Sequence, residues 1–512
     1  MIARDGNAVS LWQSTTSAFS STRQFINKEF DVIVVGGGIT GMTTAVLLQK
    51  AGMSCVLLEA KTLCFGSSGG TTAHLNTLLD TPYSDIIRNF GEENARLVAN
   101  YTKAAIELIE NNIAAYQIEC DFSRTSAYLF AEDKKQEKQL DEIQASCEKV
   151  GVETNFLTKI PWPFQFSKAL EISGQAKFHP TRYVIALAKA FEEMGGLILE
   201  NCRVRDADYK EIILIDTPSG KIYGHHLVYA THIPPGITHL NLRCAPYRSY
   251  AIALPVDGEY PDSLAYDMYD PYHYYRTQMI DGKNYLIVGG EDHKTGHERL
   301  SEDPFKTLEE KVKKHFNVQT VSNRWSSQYF ESVDGLPFIG KLNSSKASIH
   351  AASGFGGNGM IYGTISALLF HDILHEIENP CIALFSPKRH KILASAKSFI
   401  RENVDTASQI VNKFWPAKAL KSKDDLELHE GGIFRADGQT LAFYRNGKDS
   451  FYAIDPACSH MKCQVTWNGI EKSWDCPCHG ARYSVKGEVL TGPADTSLKR
   501  PEAVHVKEKR SN

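Results

Sequence analysis

The sequence lacks the features that would place this chain in a membrane or on a polyanion. No apolar run approaches the ~20 residues that a bilayer-spanning helix requires. The 56 Lys and Arg residues nearly balance the 60 Asp and Glu residues, and the formal net charge of −4 gives no reason to expect nucleic acid as a partner. The stretch up to Phe25 has no apolar segment typical of a secretory signal. We therefore expect a cytoplasmic protein without a transmembrane segment.

Cysteine is sparse along most of the chain and crowded near its end. Seven of the 11 cysteines are scattered singly between Cys55 and Cys381, where buried, reduced thiols are the simplest interpretation. The other four lie between Cys458 and Cys478, together with two histidines. A chain of 512 residues is too long for one core. We therefore expect roughly two to four domains.

A short strand followed by glycines opens the globular part of the chain. The run Val32–Val35 is typical of a buried parallel strand, and Gly36, Gly38 and Gly41 follow it with G-x-G-x-x-G spacing before a helical segment. Such glycines let the backbone approach a pyrophosphate, whose charge lies at the helix N-terminus. Glu59 ends the next strand, where it can accept hydrogen bonds from ribose hydroxyls. The alternative is an α/β domain without a nucleotide, but the combination predicts a dinucleotide site.

Five later segments form a consistent series of turns, strand ends and helix starts. They are Gly66-Ser67-Ser68-Gly69, His179-Pro180, Ala230-Thr231, Asp334–Gly340 and Gly354–Gly359. Over residues 31–375 this series resembles the D-amino-acid-oxidase/glycine-oxidase family. The resemblance implies FAD held by separated segments, with a substrate sheet inserted at about 236–325. The residues that it implies for FAD are Gly36, Gly38, Gly41, Glu59, Gly66, Ser67, Ser68, Asp334, Gly356, Gly357, Asn358 and Gly359.

Two other patterns are absent. Relatives of this kind place an arginine for the substrate carboxylate just before the Asp-Gly-x-Pro motif, whereas Gln328, Tyr329 and Phe330 stand there in this chain. A simple amino acid held by that arginine is therefore not expected. The chain also has no second G-x-G-x-x-G, because Val288–His293 lacks the third glycine and the helix. We therefore expect no separate NAD(P)H site.

Candidates for catalysis are few. His74 follows the flavin-contacting loop and could lie near the flavin ring, or it could be a loop histidine with a backbone partner. Tyr274 and Arg276 lie beside Tyr272 and Tyr275 in an alternating segment that predicts an antiparallel sheet. They are candidates for the substrate pocket, unless they simply cover the sheet.

Cysteine and histidine pairs near the C-terminus have the spacing of a metal site. Cys458-Ser-His460 is followed by 15 residues and then by Cys476-Pro-Cys-His479. Two thiolates and two imidazoles on neighbouring loops suit either tetrahedral zinc or an asymmetric [2Fe–2S] cluster. These pairs, with Gly480 directly after the second and Gly492-Pro-Ala beyond, resemble the Rieske proteins of cytochrome bc complexes over residues 425–506.

The Rieske resemblance implies a ligand set, a disulfide and a redox range. Two cysteines would hold one iron and two histidines the other: Cys458, Cys476, His460 and His479. Cys463 and Cys478 would form a disulfide between the ligand loops, with two reduced thiols as the alternative. Tyr483 matches the family's hydroxyl donor to a cysteine sulfur, but Ala481 replaces its serine donor to a bridging sulfide. The loss of this donor predicts a reduction potential below that of the respiratory proteins, while the imidazole ligands should keep it above that of plant-type ferredoxins.

The predicted fold class is an α/β FAD-binding Rossmann-type domain with an inserted α+β substrate domain, followed by an all-β Rieske domain. The predicted boundaries are an N-terminal extension at 1–30, the flavin domain at 31–390, an amphipathic helix and linker at 391–424, and the cluster domain at 425–512. The helix, Lys391–Phe414, would cover the flavin domain or, alternatively, touch a membrane.

The two cofactors together suggest a direction of electron flow. We expect an amine or amino-acid-like substrate to be oxidised by hydride transfer to FAD, because flavin accepts two electrons and can release them singly to a cluster. An external acceptor, either a protein or a quinone, would then be reduced. Two alternatives remain: a reductase component in which electrons run from a partner through the cluster to FAD, and a redox-sensing or electron-transfer protein without turnover.

Overall fold

The computed structural model of the chain describes most of the sequence. The described residues are 2, 4–23, 29–204, 207–209, 212–217, 220–257, 260–296, 303–318, 320–342, 348–389, 425–436 and 439–501. The predicted helix Lys391–Phe414 and its linker lie outside them. Within the described residues the chain forms a large α/β part with two sheets and a small all-β part, which confirms the predicted fold class.

The first sheet has the predicted strand–turn–helix unit at its centre. Glu29–Val35 pairs in parallel with Cys55–Leu58 on one side and with Gly220–Tyr229 on the other. Its apolar residues are fully buried because both faces of the sheet are covered. The strand order is Phe338–Lys341, Ser348–Ser353, Gly220–Tyr229, Glu29–Val35, Cys55–Leu58 and Leu197–Leu199, with Ile213–Thr217 and Ala207–Tyr209 attached beside Gly220–Tyr229.

Helices cover the first sheet and fill the space beside the second. Ile39–Lys50 packs against Pro180–Glu193 and Gly359–Leu374, and nine of its 12 residues are buried. His179 caps Pro180–Glu193 by accepting the N–H of Arg182, so this helix begins where the sequence predicts. The other α-helices of the described residues are Leu11–Ser14, Ser67–Gly70, Tyr83–Phe90, Glu92–Tyr116, Lys134–Val150, Pro304–His315 and Pro380–Phe385.

The second sheet is larger than the insertion that the sequence predicts at about 236–325. Leu264–Tyr266 pairs in parallel with Ser123–Ala131, so strands from the first half of the chain extend the sheet. Pairing between such distant segments leaves no local pattern, which explains the difference. The strand order is Asn323–Ser332, Cys244–Pro255, Lys283–Lys294, Tyr274–Ile280, Leu264–Tyr266, Ser123–Ala131, Lys168–Lys177 and His74–Leu75, with Thr154–Leu157 beside Lys168–Lys177.

The C-terminal part is built from two small antiparallel sheets around its own core. Trp474 and Tyr483 are fully buried there, together with the four clustered cysteines. The strands are Gly431–Ala436, Gln439–Gly447 and Ser450–Ile454 in one sheet, and Thr466–Asn468, Ser473–Asp475, Arg482–Ser484 and Val489–Thr491 in the other. In the described part of the chain, no helix has both the length and the apolar character needed to cross a bilayer.

Candidate functional site

The glycine turn after Glu29–Val35 leaves no room for a side chain. Gly36 has φ +115°, and a Cβ there would lie 2.4 Å from the carbonyl oxygen of Ala230. A Cβ on Gly41 would lie 1.9 Å from the carbonyl oxygen of Gly36. The helix Ile39–Lys50 therefore starts directly against the turn, and its first residues border a cavity.

Glu59 lies beside this turn, at the end of the next strand. Its Oε2 accepts a hydrogen bond from the N–H of Gly37 at 2.7 Å, and its Oε1 accepts one from the N–H of Lys61 at 2.8 Å. Burial raises the pKa of the Glu59 carboxyl group, while the two N–H groups lower it. The side chain lines the cavity, so its remaining lone pairs are available to ribose hydroxyls.

A cavity of about 310 Å³ lies between the glycine turn, the second sheet and the C-terminal domain. Cofactor pockets usually measure roughly 300–1,000 Å³. Most of the residues predicted for FAD line it, although they come from three distant parts of the chain: Gly36, Gly38, Glu59, Gly66, Ser67, Ser68, Gly356, Gly357, Asn358 and Gly359. The residues present therefore fit FAD bound by separated segments.

Asp334 is not among the described residues that line the cavity, and the sequence prediction for it is corrected here. Its side chain is fully buried and pairs with Arg389 at 2.7 Å and with Arg243 at 3.8 Å. Arg389 also donates to the carbonyl oxygen of Pro337 at 2.6 Å. The acid of the Asp-Gly-x-Pro motif thus stabilises this turn through its ion pairs.

His74 lies at the end of the cavity that the second sheet forms. Its Nδ1 is 2.6 Å from the Tyr266 hydroxyl, which donates to Oδ1 of Asn76 at 3.1 Å. This arrangement assigns the proton to Nδ1, and Nε2 is buried without a hydrogen-bond partner among the described residues. Burial, with Arg276 and Lys177 nearby, holds the pKa of His74 well below its usual value. A neutral imidazole with a free acceptor nitrogen results.

Tyr274 and Arg276 lie on the same strand, but of the two only Tyr274 lines the cavity in the described structure. The Tyr274 hydroxyl is 2.8 Å from Oγ of Ser249. Arg276 is fully buried, and its guanidinium group donates to the carbonyl oxygens of Thr72 and Ala73 at 2.9 and 2.7 Å. Arg276 therefore supports the loop between residues 66 and 74, which corrects its prediction as a substrate-pocket residue.

Two carboxylates, Asp80 and Asp292, line the same end of the cavity and were not predicted. The Tyr272 hydroxyl donates to Oδ1 of Asp80, and the Tyr329 hydroxyl donates to Oδ2 of Asp292, both at 2.9 Å. The strand Lys283–Lys294 shifts register opposite residue 249, with residue 291 at φ +58°. Such a bulge redirects side chains, so simple alternation could not have placed Asp292.

The four predicted cluster ligands converge in the C-terminal domain. The ring centroids of His460 and His479 are 5.0 Å apart, and the thiols of Cys458 and Cys476 are buried beside them. Both ring nitrogens of His479 are buried without a partner among the described residues. Burial, with the charge of His460, lowers the pKa of His479 to about 4. A neutral imidazole without a hydrogen-bond partner, together with a second imidazole and two thiols, fits a [2Fe–2S] cluster.

Cys463 and Cys478 are joined by a disulfide between the two ligand-bearing loops. The sulfur atoms of Cys463, Cys476 and Cys478 lie within 4.8 Å of one another. Because two of these three sulfurs are bonded to each other, they do not form a three-cysteine metal site. The Tyr483 hydroxyl is 3.1 Å from Sγ of Cys458, whereas Ala481 is fully buried and has no side-chain donor.

The C-terminal domain is docked with its histidine loops against the flavin domain. Nε2 of His460 is 3.1 Å from the carbonyl oxygen of Gly236, and Nε2 of Gln328 donates to the carbonyl oxygen of Gly480 at 2.9 Å. Because a carbonyl oxygen only accepts, His460 carries its proton on Nε2 and leaves Nδ1 free for iron. Residues between 490 and 495 also line the large cavity, so the two cofactor sites are neighbours.

Two family models match the chain. The model for FAD dependent oxidoreductases matches residues 31–373, and the model for the Rieske [2Fe-2S] domain matches residues 418–502. The chain belongs to the FAD-dependent oxidoreductase family. This FAD-dependent oxidoreductase has a Rieske domain at its C-terminus, and its cofactors are FAD and a [2Fe–2S] cluster.

Relatives share either the whole architecture or its first part. YhfW of Bacillus subtilis (strain 168), named as a Rieske 2Fe-2S iron-sulfur protein, is 30% identical over 96% of this chain and 96% of its own length. Gamma-glutamylputrescine oxidoreductase of Escherichia coli (strain K12) is 24% identical over 67% of this chain and 83% of its own. Glycine oxidase from Geobacillus kaustophilus shares the fold with a TM-score of 0.61 at 18% identity, covering 71% of this chain and 99% of that structure.

Proposed function

We propose that this FAD-dependent oxidoreductase oxidises an amine or amino-acid-like substrate and passes the electrons singly through its cluster to an external acceptor. The docking of the histidine loops against the flavin domain carries the proposal. His460 and Gly480 each hydrogen-bond to a residue of the flavin domain, and Gln328, which bonds Gly480, also lines the flavin cavity. Electrons can therefore cross between the two sites inside one chain.

The cluster ligands are part of the proposal. Cys458 and Cys476 would hold one iron, and His460 and His479 the other. When bound, FAD accepts a hydride from the substrate and the cluster accepts one electron at a time. The protein contributes shielding from water, because His479 is only 2% exposed.

An amine substrate is favoured by the residues of the cavity and by the names of relatives. The arginine that would bind a substrate carboxylate is replaced by Gln328, Tyr329 and Phe330. One relative is named gamma-glutamylputrescine oxidoreductase, after a compound that contains amine nitrogen. His74 would orient such a substrate, because its Nε2 can accept a hydrogen bond from an amine N–H.

Anaerobic rapid mixing tests the proposal. The purified holoenzyme is mixed with a panel of amines and amino acids while flavin absorbance is followed, and samples are frozen for EPR of the reduced cluster. We expect flavin bleaching first and the cluster signal afterwards. If only dithionite or a reduced ferredoxin reduces the protein, the dehydrogenase function is wrong and a reductase component takes its place. A protein that no panel member reduces, and that no acceptor reoxidises, would instead be a sensor.

A further inference from the structure

The lysine and arginine side chains that line the flavin cavity lie at one end of it. Lys61 and Arg203 are the two lysine or arginine side chains among the described lining residues. Both residues lie at the end near Glu59, since the backbone N–H of Lys61 donates to Glu59 and the charge of Arg203 lowers the pKa of Glu59.

At the second-sheet end the charged groups that line the cavity are the carboxylates Asp80 and Asp292. The cations Arg276 and Lys177, whose charges lower the pKa of His74, are buried and do not line the cavity in the described structure. A substrate group at this end would therefore contact the two carboxylates directly.

The carboxylate of Asp292 is only half satisfied. Its Oδ2 accepts the hydroxyl of Tyr329 at 2.9 Å, but its Oδ1 is buried and accepts no hydrogen bond that meets normal geometry within the described residues. Burial raises the pKa of Asp292 to about 6 and the charge of Asp80 adds to this effect, while the nearby hydroxyl groups of Ser249 and Tyr329 lower the pKa. An ionised carboxylate with a buried free oxygen is unfavourable unless a cation binds it.

Tyrosine rings line the same end of the cavity as Asp292, and burial together with the charge of Asp292 raises the pKa of Tyr272 and Tyr274. Tyr272 and Tyr274 have ring centroids 5.8 Å apart, and Tyr266 and Tyr272 have centroids 6.4 Å apart. Their interplanar angles are 54° and 52°, so the rings are inclined to one another. Aromatic rings attract ammonium groups through their faces when the cation lies within about 6 Å of the centroid. A carboxylate and aromatic rings in one pocket can therefore bind an ammonium group together.

We propose that the second-sheet end of the cavity is an ammonium site, in which Asp292 is the counter-ion and Tyr272 and Tyr274 form aromatic walls. The proposal rests on the proposed function only in placing the substrate in this cavity. It adds the class of substrate: an alkylamine recognised by its positive charge, without a carboxylate next to the nitrogen. Asp80, held by the Tyr272 hydroxyl, adds a second negative charge at the same end.

Calorimetric titration of the FAD-loaded protein under anaerobic conditions tests this site directly. The probes share a four-carbon chain and differ in charge: n-butylamine, 1,4-diaminobutane, n-butanol and butyrate, with glycine as an amino acid. We expect the two amines to bind and butyrate and glycine to bind at least tenfold more weakly. Hydrogen bonds to a charged group contribute about 1.5–3 kcal/mol, so Asp292→Asn should weaken amine binding by about 10- to 150-fold.

The controls separate a lost charge from a damaged fold. Asp292→Glu keeps the charge and should restore part of the affinity. Asp281→Asn removes an acid from the surface of the same sheet, where its side chain is 69% exposed, and should leave binding unchanged. FAD content measures folding of each variant. Equal binding of butyrate and butylamine, no amine binding at all, or unchanged amine affinity in a folded Asp292→Asn variant would overturn the proposal.

The two proposals fail in different ways. If butylamine binds through Asp292 but no amine bleaches the flavin, the ammonium site stands and the dehydrogenase function is wrong. If amines bleach the flavin while Asp292→Asn leaves their binding unchanged, the function stands and the ammonium site is wrong.

Discussion

Glu471 lies at the centre of a buried charge network that joins the two cofactor domains. Three arginines and three acids from the N-terminal segment, the second sheet and the C-terminal domain meet there: Arg4, Asp5, Arg248, Glu471, Asp475 and Arg482. Glu471 also accepts the N–H of Asn7 at 2.8 Å and the hydroxyl of Ser326. Because the positive and negative charges are equal in number, neutralising one acid leaves a buried cation without compensation.

The expected effect of Glu471→Gln follows from that imbalance. Removing one partner of a buried charge pair lowers the free energy of unfolding by about 3–5 kcal/mol. For a slope of about 2–3 kcal/mol per M, this moves the urea midpoint by on the order of 1–2 M. The matched control is Glu92→Gln, which breaks an exposed pair with Arg96 at 2.9 Å and should change the free energy by less than about 0.5 kcal/mol.

Urea unfolding followed by tryptophan fluorescence measures both variants. Trp474 is fully buried in the C-terminal domain, so its emission reports the loss of that domain's core. A loss below about 1 kcal/mol in Glu471→Gln would refute the reasoning, because it would mean that the buried arginines do not need this partner. If Glu92→Gln lowered the free energy of unfolding by as much as Glu471→Gln, the loss of one negative charge would explain the effect and the burial of Glu471 would not.

The same network predicts a direction for the pH dependence. Burial alone would raise the pKa of Glu471, but the charges of Arg4, Arg248 and Arg482 outweigh it and lower the pKa. A carboxyl group whose pKa is lower in the folded state stabilises the fold above its ordinary pKa, and this contribution is lost as pH falls. The difference between wild type and Glu471→Gln should therefore be complete at neutral pH and shrink below about pH 4.3.

Three further predictions concern the cofactor sites. Tyr483→Phe removes the hydroxyl that lies 3.1 Å from Sγ of Cys458. Losing a hydrogen bond of about 1–1.5 kcal/mol should lower the reduction potential of the cluster by about 40–65 mV, measured by EPR-monitored redox titration. Ala481→Ser adds a donor and should raise this potential. Cys463→Ser opens the disulfide to Cys478, which closes a loop with a sequence separation of 15, and should lower the free energy of unfolding by about 3 kcal/mol. Gly41→Ala places a Cβ 1.9 Å from a carbonyl oxygen, so the purified variant should contain little flavin by absorbance.

The parts of the site that the sequence predicts are those encoded locally. The glycine turn and Glu59 follow directly from one strand, one helix and the next strand, so their order alone places them. Cys458 and His460 lie two residues apart, and a short loop separates them from the second ligand pair. In both cases the functional residues lie close together in the sequence, so their spacing alone indicates the site.

The parts that the sequence could not predict depend on contacts between distant segments. Arg276 and Asp334 are charged residues at motif-like positions, yet each is satisfied inside the fold, one by loop carbonyls and the other by Arg389. Asp292 lies in a β-bulge, where alternation does not indicate the direction of a side chain. The contact between Gln328 and Gly480 spans 152 residues and joins two domains. None of these pairings leaves a trace in local composition.

The docked position of the cluster bears on the acceptor, which belongs to the proposed function. A quinone that couples electron and proton transfer needs the outer nitrogen of a histidine ligand. In this structure Nε2 of His460 is bonded to the carbonyl oxygen of Gly236, and His479 is 2% exposed. A quinone would have to displace that carbonyl group or move the whole C-terminal domain away from the flavin domain. The buried charge network around Glu471 opposes such a movement of the domain. An acceptor protein can instead take an electron across the surface near His460, which is half-buried, without breaking these contacts. On this ground we propose a protein rather than a quinone as the external acceptor.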